Sequence, residues 1–328
     1  MPRSARLRQL VALACFTALE VAREPIIILL TGCCIAATML SPLLYVHNLG
    51  GGAKLARDGG LAYLFMFGIF IAGYAASSAL AREIRGGTAA SVLAKPVSRE
   101  LFYIAKYVGV VAVIAVYGFG QTIAILLSMR VAKVFGVVAG EAQDAHTTII
   151  TLAFLAGACM LAGLLNFLRR VSFQASAFVL IPLCMVLALL SAACFDHDGH
   201  WAPFDPRVDA RLVPVAILIC FALCVLAAFA LALTTRLQAA PAIAITAAVS
   251  VLGLLSDHSF GRFAGERVSA RVGYMLIPNW QHFWMSDMLI QNNAVPWRYV
   301  ADAGLYAALY SAAAVCFGAL LFQRTDVS

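Results

Sequence analysis

Eight stretches of 18 to 25 predominantly apolar residues divide this chain, and they constrain it more than any other feature. They are 25–46, 61–80, 104–128, 148–168, 171–194, 212–233, 239–256 and 300–322, of which the seventh is the shortest. About 20 apolar residues in a helix cross the hydrocarbon core of a bilayer, so each stretch is long enough or nearly so. Charged residues are only 12% of the 328 and the mean hydropathy is +0.91. A globule of that composition lacks the polar surface to stay dissolved. A soluble enzyme, a disordered chain and a small disulfide-stapled module are excluded. The class that remains is an all-α, polytopic membrane protein with about eight transmembrane helices.

The segments between spans set the organisation. Residues 1–24 place Leu7, Leu10, Val11, Ala14, Ala18 and Val21 at helical spacing, which predicts an N-terminal interfacial helix on the membrane surface. Residues 25–328 form the transmembrane domain. The first apolar run is long enough to span and is followed by others, so it reads as a signal anchor rather than a cleaved leader. Only Arg169–Arg170 separates the fourth and fifth spans, which predicts a tight helical hairpin over 148–194. The long segment 257–299 is too polar to span, yet it carries Phe260, Phe263, Tyr274, Trp280, Phe283 and Trp284. It reads as outer amphipathic helices that lie in or re-enter the interface, with Pro278, Trp280, Phe283 and Trp284 as candidates for an outer gate.

Eight spans leave both termini on one side, and basic loops choose the cytoplasm. With the N-terminus inside, the internal segments hold thirteen basic and five acidic side chains, and the outer segments ten and eleven. The formal charge of +7 therefore divides by side of the membrane and is not a nucleic-acid signal. The expected location is the inner or plasma membrane of the cell. All six histidines and all four tryptophans fall in outer segments or at their edges.

Chemistry-bearing patterns are sparse. The nine cysteines form no CxxC pair and read as small buried hydrophobes. No Gly-x-x-x-x-Gly-Lys-[Ser/Thr] phosphate loop occurs, nor a His-Glu-x-x-His helix, so no enzymatic activity and no cofactor is expected of this chain. The middle of every span lacks ionisable groups, unlike a pathway that carries ions, and an apolar or lipid-like substrate suits it. Gln121, Thr122, Asn166 and the stretch Ser172–Gln174 are the noticeably polar positions within spans, the last three near an inner edge. Ala72, Gly73, Ala76, Ser77 and Ala81 are spaced to let another helix approach closely. In Asp196-His197-Asp198-Gly199-His200, His197 and His200 are weak candidates for a metal site; a solvated loop explains them as well.

The internal segment 82–100 is the most shaped. Thr88 is an N-cap candidate, Val92 and Leu93 give a short helix an apolar side, and Pro96 ends it. Ser98 is placed to cap the next helix. Six charged residues, Arg82, Glu83, Arg85, Lys95, Arg99 and Glu100, lie within it. Glu83, Gly87-Thr88, Leu93 and Pro96-Val97-Ser98-Arg99, with Lys106 beyond, resemble the signature of the ABC-2 type permeases, the membrane subunits of type V ABC transporters. Ala89-Ala90-Ser91 departs from the leucine and acidic run usual there. The stretch Leu276–Trp284, Pro296-Trp297-Arg298-Tyr299-Val300 and the turn Thr234-Thr235-Arg236-Leu237 are similar to later parts of those permeases, which often have six spans.

The resemblance implies a permease subunit, an exporter, that builds the translocation pathway as a dimer with a second copy or a homologue. A separate ATP-binding subunit would hydrolyse ATP with Mg, and Glu83, Gly87, Thr88, Leu93, Pro96, Val97, Ser98 and Arg99 would form the coupling helix docked on it. One branch of the family serves copper-site maturation of nitrous oxide reductase, which gives the outer histidines a second possible meaning. A membrane anchor or scaffold without transport is the remaining alternative.

Overall fold

The computed structural model describes residues 3–44, 52–85, 98–133, 145–195, 200–201, 209–255, 278–290 and 293–323. Among them are ten α-helices, and the one β feature is an isolated bridge between Phe195 and Trp201. In chain order the helices are α1 (Arg3–Ala22), α2 (Pro25–Leu44), α3 (Gly52–Arg85), α4 (Arg99–Lys133), α5 (Ala145–Arg169), α6 (Phe173–Ala193), α7 (Leu212–Thr234), α8 (Ala239–Leu254), α9 (Ser286–Ile290) and α10 (Trp297–Gln323). A 3-10 turn, Trp280–His282, precedes α9.

Seven helices, α2 to α7 and α10, are long and apolar enough to cross a membrane. The protein is a membrane-embedded helical bundle, as its composition demands. We call the side carrying α1 the near side and the opposite side the far side. The seventh predicted span is the exception: α8 has sixteen residues, about 24 Å at 1.5 Å per residue, short of the roughly 30 Å core.

Helix ends depart from the apolar boundaries in one instructive way. The second and third spans were bounded at 61–80 and 104–128, but α3 has 34 residues and α4 has 35, about 50 Å each. Their charged extensions, including Arg57, Arg82, Arg85, Arg99 and Arg130, stay helical. Hydropathy marks where a helix meets lipid, whereas backbone hydrogen bonding continues as long as neighbours support it. The internal segment therefore begins as helix, with Glu83 in the last turn of α3. Gly87, Thr88, Leu93, Pro96 and Val97 lie outside the described residues, as do the short helix expected there and residues 256–277 of the outer segment.

α3, α4 and α7 form the centre. Between Ile71 and Ala81 only Tyr74 is not buried. The small-residue stripe is spent inside the chain: Gly73 faces Ile243 of α8, and Thr234 on α7 donates to the Ser77 hydroxyl at 3.1 Å. Several in-span polar groups also donate within the fold. Gln121 donates to Thr38 across the α2–α4 seam, Thr122 bonds back to the Gly118 carbonyl, and Asn166 donates to the Val171 carbonyl at 2.7 Å. All nine cysteines are free thiols, but Cys15, Cys33, Cys159 and Cys316 are exposed. The expectation that they are buried holds for Cys34 alone in full; in lipid an exposed thiol costs little.

The α5–α6 hairpin is as tight as its arginine pair predicted. Arg170 turns the chain with φ 53°, a left-handed conformation that costs a side chain about 1 kcal/mol. Arg170→Gly should therefore raise stability by about 1 kcal/mol, read as a higher melting temperature in nanodiscs. An unchanged or lower melting temperature would mean that the arginine head group contributes more than its backbone costs.

Candidate functional site: a near-side junction and a far-side plug

On the near side, the end of the 82–100 segment is tied to two helices. Ser98 caps α4, its Oγ accepting from the Leu101 N–H at 3.3 Å. Arg99 reaches the C-terminus of α10 and donates to the Gln323 carbonyl at 3.1 Å, where a cation is favoured by the free carbonyls of a helix end. Gln323 in turn donates to Glu100 Oε1 at 2.8 Å. These groups are exposed, so each bond contributes well under about 1 kcal/mol. Their effect is positional: they bring the start of α4 and the end of α10 together at Ser98–Glu100.

One turn deeper, α1 docks on α4. Gly109 allows the approach, since a Cβ there would stand 2.7 Å from the Ala14 carbonyl oxygen and from Thr17 Cβ. Lys106 is 2% exposed. Its ammonium lies 3.5 Å from Glu20 Oε2 on α1 and 5.5 Å from the centroid of the Phe102 ring. Beside it, Tyr74 of α3 donates to Glu24 Oε2 at 2.9 Å. The predicted apolar face of α1 thus divides. Ala14 and Val21 are buried and Leu10 and Ala18 half-buried, while Leu7 and Val11 face outward.

On the far side, Pro278, Trp280 and Phe283 are buried and Trp284 is half-buried. Trp280 packs on Gly253 at the end of α8, where a Cβ would overlap the indole. Phe283 meets Tyr306 of α10 at 6.0 Å, and Trp284 meets Phe65 of α3 edge-on at 6.0 Å. These rings share a small void with Ile219 of α7. Ile219 lies seven residues past the far end of α7, about 10 Å deep. α8 therefore stops about 10 Å below the far end of α7, and the Trp280–Phe283 turn fills the remaining depth. Irregular backbone is tolerated at such depth only when surrounded by protein and satisfied. Here Asn279 Oδ1 accepts from the Gln281 N–H at 2.9 Å, Tyr299 donates to the His282 carbonyl at 2.8 Å, and Arg57 donates to the Leu289 carbonyl at 3.2 Å. The void among the rings is about 10 Å³, no more than one water needs, so the turn is a closed plug.

The gate candidates are thus gathered in one place, inside the bundle rather than at the lipid interface. Trp201 and Trp297, 70% and 62% exposed, face outward. Arg57, Gly253 and the Asn279 cap are plug residues that no local pattern in the sequence marks. His200 is exposed and His197 lies outside the described residues, among which no group of three His, Cys, Asp or Glu side chains could hold a metal. No family model, no curated protein and no solved structure matches the chain.

Proposed function

We propose that this chain is the permease subunit of an ABC transporter of the ABC-2 type, working as an exporter with both termini in the cytoplasm. It pairs with a second copy or a homologue and is driven by a separate ATP-binding subunit that supplies ATP and Mg. The observation that carries the reading is the near-side junction. Ser98 and Arg99, which end the family's Pro96-Val97-Ser98-Arg99 pattern, join with Glu100 the start of α4 to the end of α10. A push there reaches α4 and α10 directly and α1 through Lys106. The far-side plug fits the resting state of such a pathway. A mere anchor would not need its loop joined to two spans.

The test is purification of the full chain from its native membrane. An ATP-binding subunit should accompany it, with hydrolysis stimulated by the chain. Arg99→Ala and Pro96→Ala should lower that stimulation about tenfold while insertion and melting stay unchanged; for Arg99 the bond removed is a surface bond. Absence of any ATP-binding subunit, or full stimulation in both variants, would refute the reading.

A further inference from the structure

The α5–α6 hairpin stands at the edge of the bundle, and its inner side is not filled. Between α2, α5 and α6 lies a slot of about 420 Å³. Leu40 and Leu152 at its rim are exposed, while Ile35 and Ile181 at its back are buried, so the slot runs from the lipid-facing surface into the seam. Gly32 opens onto it, and a Cβ there would meet nothing within 4 Å.

Position and chemistry limit what can occupy it. Along α5 the lining extends from Thr148 to Cys159, eleven residues or about 17 Å, which is close to half of the roughly 30 Å hydrocarbon core. The slot therefore spans the far leaflet. Its two polar lining residues, Thr148 and Thr151, stand at the far end, and the Thr151 hydroxyl already donates to the Thr147 carbonyl at 2.8 Å. A buried water needs two to four polar partners, so water is not held along the rest of the slot. An apolar slot about half the hydrocarbon core in length matches one acyl chain of a single leaflet.

We propose that this slot binds one acyl chain of a phospholipid from the far leaflet, its polar end at Thr148 and its tail toward Gly32 and Cys159. The chain fills the seam between the hairpin and α2. The proposal rests on the membrane location alone and does not depend on the permease reading.

The test is photolabelling of the full-length protein in nanodiscs of phosphatidylethanolamine and phosphatidylglycerol, with a phosphatidylglycerol carrying a diazirine in one acyl chain as the probe. Adducts should concentrate on the lining residues of α2 and α5. Gly32→Phe, which fills open space, should lower them about tenfold. Gly157→Phe, also facing open space but on the side of α5 opposite the lining, should leave them unchanged. Ala36→Phe is the second filling variant should Gly32→Phe fail to fold. Adducts spread evenly over all exposed apolar faces, or undiminished in the filling variants, would overturn the proposal. So would an unlabelled lining together with a dimer that dissociates in Gly32→Phe, because the occupant would then be a second copy of this chain.

Discussion

Lys106→Met should destabilise the protein by about 3 kcal/mol and release α1 from α4. The ammonium is buried, faces Glu20 at 3.5 Å and sits over the Phe102 ring. Removing one partner of a buried ion pair costs about 3–5 kcal/mol because the other charge remains desolvated. Glu20 is partly accessible, with its side chain 25% exposed, so water recovers some of that cost and the lower end applies. The lost cation–π contact adds up to about 2 kcal/mol when desolvated; methionine retains the packing of the aliphatic stem. Glu20→Gln in the same chain should restore part of the loss. The measurement is thermal unfolding in nanodiscs alongside hydrogen exchange of α1. A Lys106→Met protein with the wild-type melting temperature and full protection of α1 would show that Gly109 packing, not the ion pair, holds the helix.

Gly253→Ala should unseat the plug, at a net cost of about 2 kcal/mol. Its added methyl group overlaps the indole of Trp280, which is 1% exposed and walled in by Phe283. Overpacking of this kind costs about 1–3 kcal/mol. Alanine is the better helix former by up to about 1 kcal/mol in a helix interior, but residue 253 is in the last turn of α8, where that gain is small. The clash wins. Trp280 should then become accessible to acrylamide and its emission should shift to the red. Trp280→Phe, with a smaller ring, should leave room for the added methyl group and offset its cost, giving a non-additive double-mutant cycle. Wild-type melting and quenching in Gly253→Ala would show that the plug does not depend on α8. If the permease reading holds, the same variant should leak small solutes into vesicles.

The hairpin and the Ser98 cap were legible because each rests on a local rule: an arginine pair between two spans, and a hydroxyl three residues before a helical N–H. Residues of the plug were legible only in part. Trp280, Phe283 and Trp284 advertised themselves as aromatics in a polar segment, but Gly253 lies 27 positions away and Arg57 more than 200, and no local pattern links them. The division of α1 into a buried and an outward apolar side was equally hidden, since Leu7 and Val21 have the same chemistry and differ only in what stands opposite.

The eight apolar stretches by themselves determined that this chain is an all-α protein of the membrane, because lipid accepts only segments that satisfy their own backbone. They also located seven crossings and marked the eighth as short. Only the tertiary structure decided what each face of those helices meets. It spent the small stripe of α3 on α7 and α8, ended α8 below the surface under a tryptophan plug, and left a lipid-sized slot behind the hairpin. The reason is physical: between lipid and a neighbouring helix there is no difference in polarity for a sequence to record, and the choice is made by shape.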